Sequence, residues 1–428
     1  MPRPDPRGVL AERMAPLSVD VFLHEYHGVR PVHVAGTAGR YDDLFYWDVL
    51  NRLLRHHTDG SWGTEYRAYR DGEEIDYSLL MREGAFHPPY FFNLLQSGLS
   101  LIFTGLQSRH DPLFALAEAC DELFGTETLI SVTAGGVRSS HRLPMHFDFK
   151  DVLTFQVAGR RRWTLRPPTR EHPVAGVHTR HLEEIQRIDR ERAAGTADPE
   201  ELGELERLRE NVFWEGELAP GHALYVPRGW YHEVAPLGEP ELSVTCHQET
   251  VTGADFLRDL IARAEATRPL LRRGLPLTGT GDEQAAFLAE LRRELAGELE
   301  QATVEGFRRR VRSRTRPRAL GFSFPYCLQA EWVPDDPALP LRWQVGPRVN
   351  LVPRPEQDEL VVQALGEEWE FAGDVECARG ILEHLRDRGA CALGEVYALE
   401  CVRGRERGEI RAFLQSLVES GLLGVGPA

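Results

Sequence analysis

The segment Leu143–Pro168 places a histidine and an aspartate two residues apart, at His146 and Asp148. Side chains two residues apart on a β-strand point to the same face, so this imidazole and this carboxylate would project together. Nitrogen and oxygen donors of this kind suit a divalent first-row metal ion, but the pair lacks a third protein ligand. The spacing therefore predicts part of a metal site whose remaining donor lies elsewhere in the chain.

A later turn motif supplies a candidate for the third donor. Gly221, Pro227, Gly229 and His232 follow the spacing Gly, five residues, Pro, one residue, Gly, two residues, His. Glycine and proline favour a tight turn between strands, and His232 would face inward just beyond it. With the earlier pair it would complete a two-histidine, one-carboxylate triad, which leaves the open metal positions that non-haem Fe(II) oxygenases use. A further histidine, His247, could line the same cavity.

Three consecutive arginines open the next predicted strand, after a turn at Gly159. Alternation along a strand sends Arg161 to the opposite face from Arg160 and Arg162. A guanidinium inside a barrel is unfavourable unless it pairs with an anion, and a carboxylate matches its fork geometry. 2-Oxoglutarate carries such a carboxylate at the end remote from the group that chelates iron. The alternative interpretation is that all three arginines are surface charges on a hairpin edge.

Short strands with Gly and Pro turns, between residues 129 and 246, must position these side chains. The strand candidates are LISVTAGG, DVLTFQVAG, RRWTLRPP, GHALYVPRG and LSVTCHQ. Their close spacing predicts a sandwich or barrel. Residues 181–210 interrupt them with a highly charged stretch, which predicts two solvated helices outside the barrel or, alternatively, a lid. Three aromatic residues of the strands, Phe147, Phe155 and Trp163, would keep the cavity dry.

The regions on either side of the predicted barrel are helical or mixed. Asp111–Gly125 has apolar residues at helical spacing and a glycine stop, which predicts an amphipathic helix. Residues 251–320 contain two amphipathic patterns, which would form a helical hairpin or a dimerisation arm. The remainder, 321–428, ends in a helix and a short strand of the winged-helix type. It is more acidic than basic, which favours a structural or protein-contacting role over DNA binding.

Composition narrows the class of protein. The 428 residues carry a formal net charge of −16, so a general nucleic-acid-binding surface is not expected. No apolar run reaches the ~20 residues of a membrane span, and the N-terminal segment lacks the apolar core of a signal peptide. Six scattered cysteines without a CxxC pair fit free thiols in a reducing compartment. We therefore expect a cytoplasmic protein with no membrane or nucleic-acid partner.

The strings HFDFKDVLTFQVAGRRRWTL and GHALYVPRGWYHEV closely resemble the JmjC-type cupin oxygenases, specifically the ribosomal-oxygenase branch of cupin-4 type protein hydroxylases. The upstream EYHGVRPVHV and the tail resemble that branch as well. The resemblance implies a double-stranded β-helix core in residues 1–250, with a charged helical insertion at about 170–212. It implies a helical dimerisation-type region at 251–320 and a winged-helix-like domain at 321–428. It also implies Fe(II) as the cofactor, 2-oxoglutarate and O₂ as cosubstrates, and a homodimer.

Carried over position by position, the resemblance assigns the metal ligands to His146, Asp148 and His232. It assigns the base that holds the cosubstrate carboxylate to Arg161. A hydroxyl at Thr133 or Ser131 would assist that carboxylate, and Asp151 would support the metal ligands from outside.

The resemblance implies hydroxylation of a side chain in a protein substrate of the ribosomal-protein type. A peptide precursor of a modified natural product is an equal candidate substrate. Three alternatives stay open beside this function. A metal-dependent cupin enzyme that does not use 2-oxoglutarate would have no need of Arg161. A JmjC-type lysine demethylase would share the oxidant, and a non-catalytic cupin scaffold would tolerate loss of His146 and Asp148.

Overall fold

The structure is a computed structural model in which the following residues are described: 5–55, 66–70, 73–75, 81–82, 85–87, 89, 92–93, 96–137, 143–169, 172–173, 177–314, 331–345, 349–354 and 358–426. The chain forms two compact units that divide between Thr250 and Val251. In the described part of the chain, no helix combines the length and the apolar character that a membrane span requires. The boundary predicted near residue 320 lies outside the described residues.

The first unit combines peripheral helices with two sheets. Its helices are α1 Pro6–Met14, α2 Val19–Val21, α3 Trp47–Arg55, α4 Asp111–Phe124, α5 Val177–Ala194 and α6 Pro199–Glu210, with a π-helical turn at Phe22–Tyr26 and a 3₁₀ turn at Leu106–Ser108. Its strands are β1 Val32–Val34, β2 Tyr66–Arg70, β3 Glu73–Ile75, β4 Met81–Arg82, β5 Ala85–Phe86, β6 Ser100–Thr104, β7 Thr128–Gly135, β8 Leu143–Phe147, β9 Lys150–Ala158, β10 Arg161–Arg166, β11 Trp214–Leu218, β12 Ala223–Val226, β13 Tyr231–Pro236 and β14 Glu241–Glu249.

Two antiparallel sheets make the barrel. The large sheet has the strand order β1-β12-β9-β14-β7-β6-β2-β3, and the small sheet has the order β11-β10-β13-β8. Leu224 and Val226 of the large sheet share one buried cluster with Trp163 and Val234 of the small sheet. The two sheets therefore enclose a common interior, which confirms the barrel that the strand pattern predicted and the double-stranded β-helix that the resemblance implied.

Helices cover the outer face of the large sheet. The predicted helix over Asp111–Gly125 is confirmed as α4, and Gly125 ends it with a left-handed φ of 77°. Leu113 and Leu116 of α4 lie in the same buried cluster as Leu10 of α1 and Phe155 of β9. Phe155 therefore faces this outer core and not the barrel interior, because strand alternation sends it away from its neighbours Thr154 and Gln156.

The charged insertion forms the helix pair α5 and α6, which is amphipathic and not solvated all round. Gly195, with φ of 71°, breaks the chain between the two helices, and the Asp198 carboxylate caps the start of α6. The buried apolar residues of the pair pack against the outer face of the small sheet. The cluster comprises Ile185, Ile188, Leu205, Leu208, Met145, Phe147 and Tyr231. Phe147 thus contacts the insertion, and of the three predicted cavity aromatics only Trp163 faces the interior.

The second unit begins with helices and continues into two small sheets. Its helices are α7 Gly253–Thr267, α8 Pro269–Arg272, α9 Gly281–Gln301, α10 Val304–Arg314, α11 Val375–Arg388, α12 Leu393–Tyr397 and α13 Arg407–Glu419. Its strands are β15 Pro340–Trp343, β16 Asn350–Arg354, β17 Glu359–Ala364, β18 Glu367–Ala372, β19 Ala390–Ala392 and β20 Leu423–Val425. Helices α11, α12 and α13 with the sheet β19-β15-β20 give the winged-helix-like domain.

Each of the two predicted post-barrel helices is divided in the structure. Pro269 begins α8 directly after α7, because proline lacks an N–H and restricts the residue before it. The second pattern divides at Ala302, whose backbone is extended, and the Thr303 hydroxyl then accepts from the backbone N–H of Gly306 in α10. Capping boxes at Thr252 and Thr280 fix the starts of α7 and α9.

Candidate metal centre

The pairing of β8 with β13 brings the two predicted histidine ligands together. In the antiparallel register His146 lies directly opposite His232, and their ring centroids are 4.3 Å apart. Directly opposed residues share a face of the sheet, so both imidazoles project to the same side. The register shifts just after His232, an irregularity of the kind that re-aims side chains beside functional sites.

Asp148 lies at a crossover between the two sheets and not within one strand with His146. Strand β8 ends at Phe147 in the small sheet, and β9 begins at Lys150 in the large sheet. The expectation that the histidine and the aspartate share a continuous strand is therefore wrong in this detail. The crossover still directs both side chains to one point, because the chain changes sheets there around the end of the barrel.

The three side chains form one cluster. One donor atom from each of His146, Asp148 and His232 lies within 4.8 Å of the other two. The His232 Nε2 atom is 3.6 Å from Asp148 Oδ2, with the imidazole 5% exposed and the carboxylate 32% exposed. The cluster thus has a buried side, at His232, and an accessible side, at Asp148, through which a metal and further ligands can enter.

The protonation of His232 suits metal ligation. Its Nδ1 donates to the backbone carbonyl oxygen of Trp230 at 3.2 Å, which leaves the Nε2 lone pair toward the cluster. Burial, together with the nearby His146, lowers the pKa of His232 to about 4, although Asp148 opposes the shift. The imidazole is therefore neutral at pH 7, which is the form that binds a metal ion.

Hydrogen bonds tie the turn before His232 to the crossover at Asp148 and to Asp151 in β9. The Gly229 backbone N–H donates to the Asp148 carbonyl oxygen at 2.8 Å, and Gly229 has the left-handed φ of 83° that glycine tolerates best. The Arg228 N–H donates to Asp151 Oδ1 at 2.8 Å, and the Tyr225 hydroxyl donates to Asp151 Oδ2 at 2.9 Å. Asp151 therefore positions the turn that precedes His232, the predicted third ligand.

We expect Asp151→Asn to weaken metal binding without removing a ligand. The Asp151 carboxylate accepts hydrogen bonds from the Tyr225 hydroxyl and from the Arg228 N–H. An asparagine would point its own NH₂ group, also a donor, at one of these two groups, and the site is only 4% exposed. The free energy of unfolding should fall by ~1–3 kcal/mol, and Fe(II) affinity should fall by about 10–100-fold. Urea unfolding and an anaerobic Fe(II) titration measure these. Asp20→Asn, in an exposed ion pair with Arg7, is the control. Unaltered Fe(II) affinity in Asp151→Asn would contradict the expectation.

Arg161 is buried, whereas Arg160 and Arg162 are exposed, so the three arginines alternate as strand geometry predicts. Its guanidinium forms a bidentate ion pair in which Nε and Nη2 donate to the two carboxylate oxygens of Glu241. The buried anion that the guanidinium requires is therefore supplied by the protein itself. Sequence reasoning missed Glu241, although it opens a strand in which polar residues alternate, through Ser243 to His247.

The predicted hydroxyl residues lie on β7, beside β14. Ser131 Oγ is 2.8 Å from Nε2 of His247, so Ser131 already has a partner, and burial lowers the pKa of His247. Thr133 lies opposite Ser243 in the register of these strands, one inward-facing step from Gly135 and Glu241. The register thus places Thr133 one step from Glu241, the partner of Arg161. His247 lies near the cluster, because the charge of Asp148 acts on its pKa and opposes the effect of burial.

The barrel interior contains polar atoms that lack protein partners. Among the described residues, Trp163 Nε1, Gln156 Oε1 and Ser243 Oγ are buried without a hydrogen bond. Buried polar groups are normally paired, so unpaired ones in a cavity indicate a place for a polar ligand or water. The Trp163 ring stacks beside His232, with ring centroids 5.8 Å apart. A small polar molecule bound next to the triad would fit these atoms, and the donor set of the triad fits Fe(II).

Solved structures share this fold. The chain matches E. coli YcfD with a TM-score of 0.54 and 18% sequence identity, over 96% of this chain and 98% of that chain. It matches a structure of YcfD, a ribosomal oxygenase from E. coli in complex with cobalt and 2-oxoglutarate, with a TM-score of 0.53 and 17% identity, over 96% and 99% of the two chains. The likeness extends along both units and shows a common fold.

Relatives are also found by sequence. The chain is 25% identical over 276 residues to a bifunctional lysine-specific demethylase and histidyl-hydroxylase NO66 of Drosophila pseudoobscura pseudoobscura, and the match spans 63% of this chain but only 26% of that protein. It is 25% identical over 325 residues to ribosomal oxygenase 2 of Bos taurus, over 69% and 61% of the two chains. A family model, the cupin-like domain, matches residues 24–250. That segment holds the barrel and the whole triad, and the chain belongs to the cupin-like domain family.

Proposed function

We propose that this chain is an Fe(II)- and 2-oxoglutarate-dependent oxygenase that hydroxylates an amino-acid side chain in a protein or peptide. The observation that carries the proposal is the cluster of His146, Asp148 and His232 at one end of the barrel. Two imidazoles and one carboxylate leave adjacent positions of an octahedral ion open. A cosubstrate that chelates through two atoms, together with O₂, needs those three positions.

The protein residues orient the reactants and exclude water, and the bound group supplies the oxidation. When bound, iron with 2-oxoglutarate would supply the oxidising power for hydroxylation, in which one oxygen atom of O₂ ends in the new hydroxyl group and the other in succinate, with release of CO₂. His232 offers a neutral nitrogen donor, and Asp148 supplies negative charge at the accessible side of the cluster. Trp163 Nε1 and Ser243 Oγ, which find no hydrogen-bond partner among the residues described, would donate to the oxygen atoms of the diacid. Thr133 and Arg161 would hold its remote carboxylate.

A basic protein or peptide is the substrate that the charge of this chain favours. The formal net charge of −16 attracts a positively charged partner and speeds its encounter with the enzyme. The names of the two relatives point to a histidyl side chain and to the ribosome as places to look. A ribosomal-protein-like substrate and a basic precursor peptide both meet this description.

The test is a coupled assay on the purified chain. Fe(II), 2-oxoglutarate and O₂ are supplied with ribosomal proteins and with peptides that contain histidine or methyl-lysine. We expect succinate formation to depend on substrate, and mass spectrometry to find one added oxygen atom on a side chain. Loss of a methyl group instead would indicate the demethylase alternative. Absence of both product and metal binding would overturn the proposal and leave a scaffold.

The ion pair of Arg161 with Glu241 favours one second candidate, a metal-dependent cupin enzyme that does not use 2-oxoglutarate. In that function the guanidinium would be a structural partner of Glu241 and would have no anion to bind. Oxygen uptake that proceeds at the same rate with and without 2-oxoglutarate would support this candidate. Uptake that requires 2-oxoglutarate in a one-to-one ratio with succinate would reject it.

We also propose a homodimer formed through the post-barrel helices. Leu257 and Ile261, one turn apart on α7, are 44% and 45% exposed, and Leu288 of α9 is 44% exposed. Exposed apolar residues on one face of a helix favour packing against a helix of a second subunit, because this removes them from water. We expect the double variant Leu257→Glu/Ile261→Glu to sediment as a monomer while the native chain sediments as a dimer. Ala262→Glu, on another face of α7, should leave the dimer intact; a native monomer would contradict the proposal.

We propose that the protein acts in the cytoplasm. The five described cysteines form no disulfide with one another, and four of them are buried, at Cys120, Cys246, Cys377 and Cys391. Free buried thiols are typical of a reducing compartment, in which Fe(II) also stays reduced. Fractionation of the host cell, with detection of the native chain, tests this location.

A further inference from the structure

The pairing of Arg161 with Glu241 uses only part of the guanidinium. Glu241 accepts from Nε and from Nη2, which lie along the side edge of the group. A guanidinium carries five N–H donors, so both N–H groups of Nη1 and the second N–H of Nη2 remain. Among the described residues, none accepts a hydrogen bond from Nη1. The outer edge, Nη1 with Nη2, is therefore available for a second carboxylate.

The fold makes room for Glu241 at this position. Glu241 is 1% exposed and Arg161 is 6% exposed, so the pair is sealed within the barrel. Gly135 lies opposite Glu241 in the register, and a Cβ added to it would lie 2.5 Å from Glu241 Oε1. The lack of a side chain at Gly135 thus lets the carboxylate reach the side edge of the guanidinium. The buried Glu241 carboxylate in turn orients the Arg161 guanidinium through the two hydrogen bonds that it accepts.

We propose that Glu241 is a positioning residue that holds the side edge of Arg161 so that its outer edge meets the remote carboxylate of 2-oxoglutarate. The inference rests on the proposed function and adds to it the residue that orients the anchor. Without Glu241 the long arginine side chain would sample several rotamers, and ordering it would reduce the affinity for the cosubstrate. Glu241 does not touch the metal or the reacting carbon, so its effect is on cosubstrate binding.

The position of the pair along the barrel agrees with this role. Arg161 lies opposite Pro236 in the register of β10 and β13, and Leu165 lies opposite His232. Arg161 and Leu165 are four residues apart on the same face of β10, which corresponds to about 13 Å along the strand. The backbone of Arg161 therefore lies at about that distance along the barrel from the position of His232. An extended arginine side chain and a five-carbon diacid together can span that distance. The hydroxyl of Ser243 lies one inward-facing step from Glu241 toward the metal end, and it has no hydrogen-bond partner within the described part of the chain.

The test compares Glu241→Gln with Glu239→Gln. The first substitution removes the charge and one of the two acceptors that face Arg161. The second makes the same change in the exposed partner of Arg160, two residues away. Calorimetry on Mn(II)-loaded protein without O₂ measures binding of 2-oxoglutarate directly. We expect Glu241→Gln to raise the Kd of 2-oxoglutarate about tenfold (~1.4 kcal/mol), with the Kd of Mn(II) unaltered. In turnover, the KM for 2-oxoglutarate should rise while kcat stays nearly constant, and Glu239→Gln should match the native chain.

Gly135→Ala keeps the proposal testable if Glu241→Gln does not fold. It leaves both charges in place and displaces the carboxylate through the added Cβ, so it should also raise the Kd of 2-oxoglutarate. Native affinity in either folded variant, or tighter binding, would overturn the role of Glu241 and leave the proposed function standing. A native chain that binds Mn(II) but no 2-oxoglutarate would overturn both.

Discussion

Replacing His232 by alanine should abolish Fe(II) binding at the triad, and oxygenase turnover with it. The substitution removes the most buried of the three donors and leaves a single imidazole and a carboxylate. Loss of groups that only support metal ligands reduces affinity by about 10–100-fold, so the loss of a ligand should exceed that range. An anaerobic Fe(II) titration and a succinate assay measure the two effects. Circular dichroism of the metal-free protein checks that the variant is folded.

The matched control for this variant is His222→Ala. His222 lies in the same region of the chain, before β12, and its Nδ1 is 2.9 Å from Nε2 of His33. It stands outside the triad, so the control should bind Fe(II) as the native chain does. If His232→Ala retained native Fe(II) affinity, the metal would bind elsewhere, and the assignment of the triad would be wrong.

Replacing Arg161 by alanine should strongly reduce both stability and cosubstrate affinity. The substitution leaves the carboxylate of Glu241, which is 1% exposed, without its cation. Breaking a buried ion pair by removing one partner lowers the free energy of unfolding by about 3–5 kcal/mol, because the remaining charge stays desolvated. Urea unfolding measures this loss. The concentration of 2-oxoglutarate needed for turnover should rise as well, since the remote carboxylate loses its anchor.

The controls separate the ion pair from the anchor. Arg160→Ala breaks an exposed pair with Glu239 one residue away and should leave the free energy of unfolding nearly unchanged. The double variant Arg161→Met/Glu241→Leu removes both charges and should recover much of the lost stability, while its affinity for 2-oxoglutarate stays low. If Arg161→Ala were as stable as the native chain, the buried pair would not exist in solution.

The triad and its barrel were predictable because short-range rules specify them. The strand segments follow from alternating residues and Gly or Pro turns, and the motif around Gly229 fixes where His232 emerges. The position of Asp148 at a crossover was not predictable from spacing alone. One continuous strand through His146 and Asp148 would have the same residue pattern as a strand that ends before Asp148 and is followed by a strand of the other sheet. Only the pairing partners of β8 and β9 distinguish them.

Glu241 shows the limit of local reasoning most clearly. The sequence indicates that Arg161 needs an anion, but the residue that supplies it is 80 positions away. Such a contact depends on the order of strands in the large sheet, which no local pattern encodes. The amphipathic nature of α5 and α6 was hidden for a related reason. Their high charge indicates solvent exposure, whereas a few spaced isoleucine and leucine residues decide that one face is buried.

The contact of α5 and α6 with the small sheet supports the two strands that hold His146 and His232. Met145 and Phe147 flank His146 in the chain, and Tyr231 precedes His232. These three neighbours pack against apolar residues of α5 and α6 on the outer face of the small sheet. The strand positions of the two histidines are therefore fixed by apolar packing on the opposite face of the small sheet. Substitutions in the helix pair that never approach the cavity will loosen or stiffen the imidazoles, so metal retention can drift in evolution while every ligand stays the same.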